Sequence, residues 1–130
     1  MDIVNRDRVT PFVTKDTSVI REILSPRNSG LEHQSLAAAT LAPGAGTEAH
    51  IHPRAEEIYY VLAGRGVMAV GPEVRELEPG DAVALPPGAA HQIRNTGETD
   101  LVFLCCCSPA YEHDDTVFVP ALLPPTEAPR

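Results

Sequence analysis

Gly44-Ala45-Gly46-Thr47-Glu48-Ala49-His50-Ile51-His52-Pro53-Arg54-Ala55-Glu56-Glu57, which runs on to a further glycine at Gly64, decides how the rest of the chain is read. Side chains on an extended strand alternate between faces, so His50 and His52 point the same way and can reach one ion. Pro53-Arg54-Ala55 allows a turn, and Glu57 returns on the next strand from the opposite side. Glu56 is its nearest rival, but adjacent residues face opposite ways and the spacing to Gly64 favours Glu57. A second stretch, from Gly80 through Pro86-Pro87-Gly88 to His91 and Asn95, supplies a third imidazole. Three imidazoles and one carboxylate suit a divalent transition metal such as Mn, Fe, Ni, Cu or Zn.

Working outward, the periodicity predicts strands over 9–14, 18–24, 33–42, 48–52, 56–63, 65–71, 73–77, 82–85, 91–95, 100–107 and 115–119. Gly64, Gly71-Pro72, Pro79-Gly80, Pro86-Pro87-Gly88 and Asn95-Thr96-Gly97 separate them as turns. Short strands with this punctuation mean an all-β sandwich or closed barrel. Ser35 to Leu41 is alanine-rich enough to look helical, but its neighbours favour a strand. Gly80 and Gly88 allow positive φ, and Pro86-Pro87 stiffens the approach to His91. The chain divides into N-terminal strands (1–34), a barrel (35–119) and a proline-rich tail (120–130). The tail is expected to be an extended or disordered arm on the surface or on a partner subunit.

Alternation extends the inward set to Glu57, Tyr59 and Val61 on one strand and to His91, Ile93 and Asn95 on another. Tyr59 is thereby expected near the ion as a hydrogen-bond donor to a bound molecule, unless it merely packs. Glu48 shares the parity of His50 and is a candidate to approach the pocket. Arg94 has the wrong parity relative to His91. His33 and His113 lack a comparable setting and are read as solvent-facing or supporting residues. Cys105, Cys106 and Cys107 are consecutive, a poor geometry for a disulfide between neighbours. They read as small buried apolar residues, with Cys105 and Cys107 on one face and a thiol lining the pocket as the sharper alternative.

The formal net charge of -8 argues against binding a phosphate backbone, and Lys15 is the single lysine. There is no run of about 18 apolar residues to span a bilayer, and the N-terminus lacks the apolar centre of a secretory signal. The expectation is a cytoplasmic protein with no nucleic-acid or membrane partner and a small-molecule substrate.

The segment from Gly44 through His50-Ile51-His52 and Glu57 to Gly64 resembles the first cupin motif, and Gly80 through Pro86-Pro87-Gly88 and His91 to Asn95 resembles the second without a mismatch. The resemblance covers residues 35–107. Ser108-Pro109-Ala110-Tyr111 with His113-Asp114-Asp115-Thr116 is similar to the ending of small microbial single-domain cupins of the oxalate-decarboxylase-like or mannose-6-phosphate-isomerase-like type. The resemblance implies a six- to eight-stranded double-stranded β-helix barrel whose mouth holds the ion on His50, His52, Glu57 and His91. It also implies a homodimer, with residues 9–24 able to add to the partner's sheet.

Four protein ligands on an ion that accepts about six leave positions for a bidentate substrate, or for one substrate atom and dioxygen. The leading expectation is an Fe- or Mn-dependent oxidoreductase of dioxygenase type acting on a small oxygenated molecule; Ni, Zn or Cu would also fit. Tyr59, with Gln92 or a pocket thiol, would orient the substrate. The alternatives are a non-oxidative isomerase, cyclase or lyase, and a cupin that binds a small molecule without turnover.

Overall fold

The computed structural model describes residues 1–125. Eleven strands form two antiparallel sheets. In chain order they are β1 (Phe12–Val13), β2 (Val19–Leu24), β3 (Ser35–Leu41), β4 (His50–Ile51), β5 (Glu56–Ala63), β6 (Gly66–Val70), β7 (Glu73–Leu77), β8 (Ala82–Leu85), β9 (His91–Asn95), β10 (Leu101–Ser108) and β11 (Val117–Phe118). One sheet runs β1-β2-β3-β10-β5-β8 and the other β11-β4-β9-β6-β7. The reversals from β5 to β10 fall on the predicted turns, whereas the one between β1 and β2 was not predicted, and the result is the double-stranded β-helix barrel that the motifs imply.

The implied six to eight strands become eleven, because short pieces count separately and because β2 pairs with β3 of the same chain. Several segments are shorter than the periodicity predicts, and three of them keep only two residues. Pro11 has no N–H to give, and β1 keeps two residues. Pro53 stops β4 just after His52. A 3-10 turn at His113–Asp115 delays β11 to Val117. The alanine-rich stretch is a strand, β3, held between β2 and β10.

Leu41, Val61, Met68, Ile93, Leu101 and Phe103 fill the space between the sheets. Fully burying one such side chain stabilises the fold by about 1.5–3 kcal/mol. Gly64 shows why the first motif closes on glycine: its φ is +85°, and a Cβ there would run into the Asp100 carbonyl. Gly80 and Gly88 also take positive φ, as predicted.

Residues 120–125 of the tail lie against β9, on the face opposite His91 and Ile93. The N–H groups of Leu122 and Leu123 donate to Gln92 Oε1, Arg94 donates to the Pro124 carbonyl, and Leu123 is buried. The expectation for 126–130 lies outside the described residues.

Candidate metal centre

The two sheets bring the four predicted ligands together from different directions. His50 opens β4 and stands directly opposite His91, the first residue of β9. His52 follows β4 by one residue. Glu57 comes from the other sheet, where β5 sets it beside Leu85 of β8 and Cys107 of β10. All four side chains are buried, His50 and His91 at 1% exposure. The three histidines offer ligand atoms within 4.8 Å of one another. Glu57 Oε1 lies 3.3 Å from His52 Nε2 and 3.6 Å from His91 Nε2. Two atoms bound to one ion at about 2.1 Å are at most about 4.2 Å apart, so this oxygen is within reach of an ion shared with His52 and His91, beside a cluster that the three histidines form by themselves.

The supporting hydrogen bonds fix which ring nitrogen faces inward. His50 Nδ1 donates to the Glu48 carbonyl at 2.7 Å, His52 Nδ1 to the Asp115 carbonyl at 3.0 Å, and His91 Nδ1 to the Ala89 carbonyl at 3.0 Å. A carbonyl oxygen can only accept, so each Nδ1 carries the proton and each Nε2 keeps its place at the centre. Glu57 Oε2 is held separately by the Cys107 thiol at 3.0 Å, which leaves Oε1 to point inward. Glu57 Oε1 and His91 Nε2 are buried with no hydrogen-bond partner among the described residues. Buried polar atoms are rarely left so, and a cation among these donors would satisfy both. The residues therefore fit one divalent ion.

The charges agree with that arrangement. Burial and the neighbouring His91 bring His50 down to about 4, so its ring is neutral near pH 7. Burial alone would lower His52, but the Glu57 carboxylate 3.3 Å from its Nε2 raises it above its ordinary value. Burial would raise Glu57; the imidazoles of His52 and His91 close beside it overrule that and hold the carboxyl at about 2. Burial, reinforced by the Glu57 charge, raises Cys105, Cys107 and Tyr59 well above their usual ranges, so all three stay protonated.

A cavity of about 40 Å³ opens beside the group. At roughly 10–15 Å³ per water on this measure, it has room for about three. Tyr59 lines it, its ring 5.7 Å from that of His91 and 4.7 Å from that of Phe103. Cys105 and Cys107 both line the cavity, as their shared parity predicts, while Cys106 faces outward.

Two expectations are corrected. Glu48 is exposed and reaches the site through its backbone carbonyl alone, because it precedes β4 and strand parity does not extend to it. Gln92 turns away: its amide donates to the Thr47 carbonyl and accepts from the tail. Arg94 likewise stands clear, as its parity implies.

Three residues escaped the sequence reading. Asp16, in the turn between β1 and β2, lines the cavity with Oδ2 3.6 Å from His50 Nε2. Thr14-Lys15-Asp16-Thr17-Ser18 is legible as a turn held by a side chain, but nothing in it names its destination. Asp115 accepts from the N–H groups of Arg54 and Ala55 and so clamps the turn between His52 and Glu57. Tyr111 lines the cavity, its ring 6.0 Å from that of His52.

Comparisons with known proteins agree with this geometry. The family model described as the cupin domain matches residues 37–107. An uncharacterized protein of Methanocaldococcus jannaschii is 44% identical over 110 residues, spanning 85% of this chain and 88% of the relative. A predicted oxalate decarboxylase from Thermotoga maritima superposes with a TM-score of 0.74 at 28% identity, covering 82% of this chain and 98% of that one. The polyketide cyclase RemF from Streptomyces resistomycificus gives a TM-score of 0.78 at 22% identity over 92% of this chain and 85% of that one, a likeness of fold.

Proposed function

The chain belongs to the cupin family, and on that premise we propose that it is a metal-dependent enzyme acting on a small oxygenated molecule by non-oxidative isomerase, cyclase or lyase chemistry. One observation carries the reading: three imidazoles and a carboxylate converge with their outer atoms already hydrogen-bonded, beside a cavity with room for a few atoms. When bound, a divalent ion on His50, His52, Glu57 and His91 supplies a Lewis acid and, if iron or manganese, a redox centre.

The chain's own residues supply the rest. The Tyr59 hydroxyl remains protonated and can donate to an oxygen of the substrate. Phe12, Ile20 and Phe103 exclude bulk water from the cavity, which strengthens every polar contact inside it. The hydrogen-bonding groups that face the cavity support a hydroxylated substrate. The predicted oxalate decarboxylase among the similar proteins supports lyase chemistry on a small oxygenated molecule.

The dioxygenase reading expected from the sequence is the second reading, and the apolar lining around Ala37, Ala39 and Phe103 favours it. Protein purified without an affinity tag and loaded separately with Mn, Fe, Co, Ni or Zn decides between the two. Turnover of α-hydroxyketones, enediols or keto acids at equal rates with and without oxygen is the expected result. Turnover that consumes oxygen in step with substrate would favour the second reading, and binding without product would contradict both.

Pairing of two chains is part of the proposal. Ile58, Tyr60 and Leu62 stand exposed on the outer face of β5, and an apolar surface of this kind is suited to a second copy. Light scattering on the eluting protein should give twice the chain mass; a monomer would remove this part. No helix among the described residues is long and apolar enough to cross a membrane.

A further inference from the structure

The turn between β1 and β2 presents one carboxylate oxygen to the cavity and ties down the other. Asp16 Oδ1 accepts from the Thr14 hydroxyl, from the Ser18 N–H at 3.1 Å and from the Ser18 hydroxyl at 2.6 Å. Those donors fix the plane of the carboxylate. Oδ2 receives none of them and lies 3.6 Å from His50 Nε2 at the wall of the cavity. The turn is itself anchored: the Asp16 carbonyl accepts from the Glu48 N–H at 3.0 Å, and Lys15 donates to the Thr116 carbonyl at 2.8 Å.

The charges around the cavity are one-sided. Asp16, Glu22 and Glu57 line it; Glu22 is paired from outside by Arg27 at 2.8 Å, and no lysine or arginine lines the cavity itself among the described residues, so Asp16 and Glu57 face it without a basic partner. The basic side chains nearest in sequence are committed elsewhere, Lys15 to Thr116, Arg54 to Asp114 and Asp115, and Arg94 to Pro124. A second anionic group beside Oδ2 would meet a fixed negative charge with no cation but the metal to offset it. A hydroxyl there would find a ready acceptor.

Building on the metal-centre reading, we infer that Asp16 sets which molecules the centre admits: neutral ligands that donate a hydroxyl to Oδ2, in preference to dianions. Asp16 is a specificity-determining residue at the ligand's side of the ion, separate from the four ligating residues.

The substitution Asp16→Asn tests this with little change in shape. Because Oδ1 faces three donors, the amide oxygen must take that position and the NH₂ must face the cavity. The change therefore turns an anionic acceptor into a neutral donor without disturbing the turn. Protein loaded with Co(II) is titrated with dihydroxyacetone and with oxalate, and the visible spectrum of the ion reports binding. The wild type should bind dihydroxyacetone at least about tenfold more tightly than oxalate. Asp16→Asn should keep one Co(II) per chain and the wild-type melting temperature while reversing that order. An unchanged preference, or loss of Co(II) from the variant, would overturn the inference. Failure of the wild type to bind Co(II) at all would instead count against the metal-centre reading.

Discussion

The two ends of the barrel interior are built by the same strands and do opposite things. Along β5 the inward residues run Glu57, Tyr59, Val61; along β9 they run His91, Ile93, Asn95; along the antiparallel β10 they run Cys107, Cys105, Phe103, Leu101. At one end these positions carry ligands, a phenol and thiols. Further along, Val61, Ile93, Phe103 and Leu101 make the same face hydrocarbon, and Asn95 closes β9 with its amide donating to the Leu41 and Thr99 carbonyls. Alternation decides that a residue faces inward, and its distance along the strand decides whether it meets the ion or the core. Small side chains at Ala37 and Ala39 keep the first end open, whereas Leu41 on the same strand helps to fill the second.

The largest expected effects separate the two ends. Phe103→Ala should cost about 3–5 kcal/mol of stability in denaturant unfolding, because a fully buried ring leaves a cavity the sheets cannot collapse into. The ion bound per folded molecule should not change. His52→Ala should do the reverse: metal content and activity fall together, by more than the roughly 10–100-fold typical of a supporting residue, while the metal-free protein still unfolds cooperatively. Retention of metal in His52→Ala would break the distinction.

Asp115→Ala lies between these extremes. It leaves the His52 acceptor in place, since that is a backbone carbonyl, but frees the Arg54 and Ala55 N–H groups. Metal affinity should fall by about 10–100-fold in calorimetric titration, with a stability loss of about 1–3 kcal/mol. An affinity equal to the wild type would show that the turn holds its shape unaided.

The smallest effect is the dependence on pH. Without metal, His52 is raised by Glu57, so the stability its proton contributes is present below the ordinary imidazole value, while Glu57 stays ionised down to about 2, and is lost as pH rises through the folded value. The ion must displace that proton, so its binding weakens as pH falls through the same range. His50, lowered to about 4, adds no competition until the solution is far more acidic. The gain in melting temperature on adding metal should therefore grow as pH rises through the His52 titration; a constant gain would show that His52 is not displaced.

The convergence of His50, His52 and His91 was legible because they lie on or beside strands, where a period of two and a glycine-to-glycine spacing fix direction from local sequence. The cysteines were legible for the same reason: Cys105 and Cys107 had to share a face. Asp16 and Asp115 were not. Each acts from a turn, and what places it is a hydrogen bond with backbone far away in the chain, as with the Ala55 N–H that donates to Asp115 from 60 positions away. Glu48 shows the same limit from the other side, since parity was carried into a residue that precedes the strand. Gln92 failed differently: its partner is the tail, which periodicity could not place.

X-ray absorption at the metal edge of tag-free, Co- or Zn-loaded protein tests the central claim most directly. The account predicts one ion per chain, with nitrogen and oxygen neighbours at about 2.0–2.2 Å and the multiple scattering of three imidazoles. A sulfur neighbour at about 2.3 Å, which would move a thiol from supporting Glu57 to binding the ion, or fewer than three imidazoles, would contradict it.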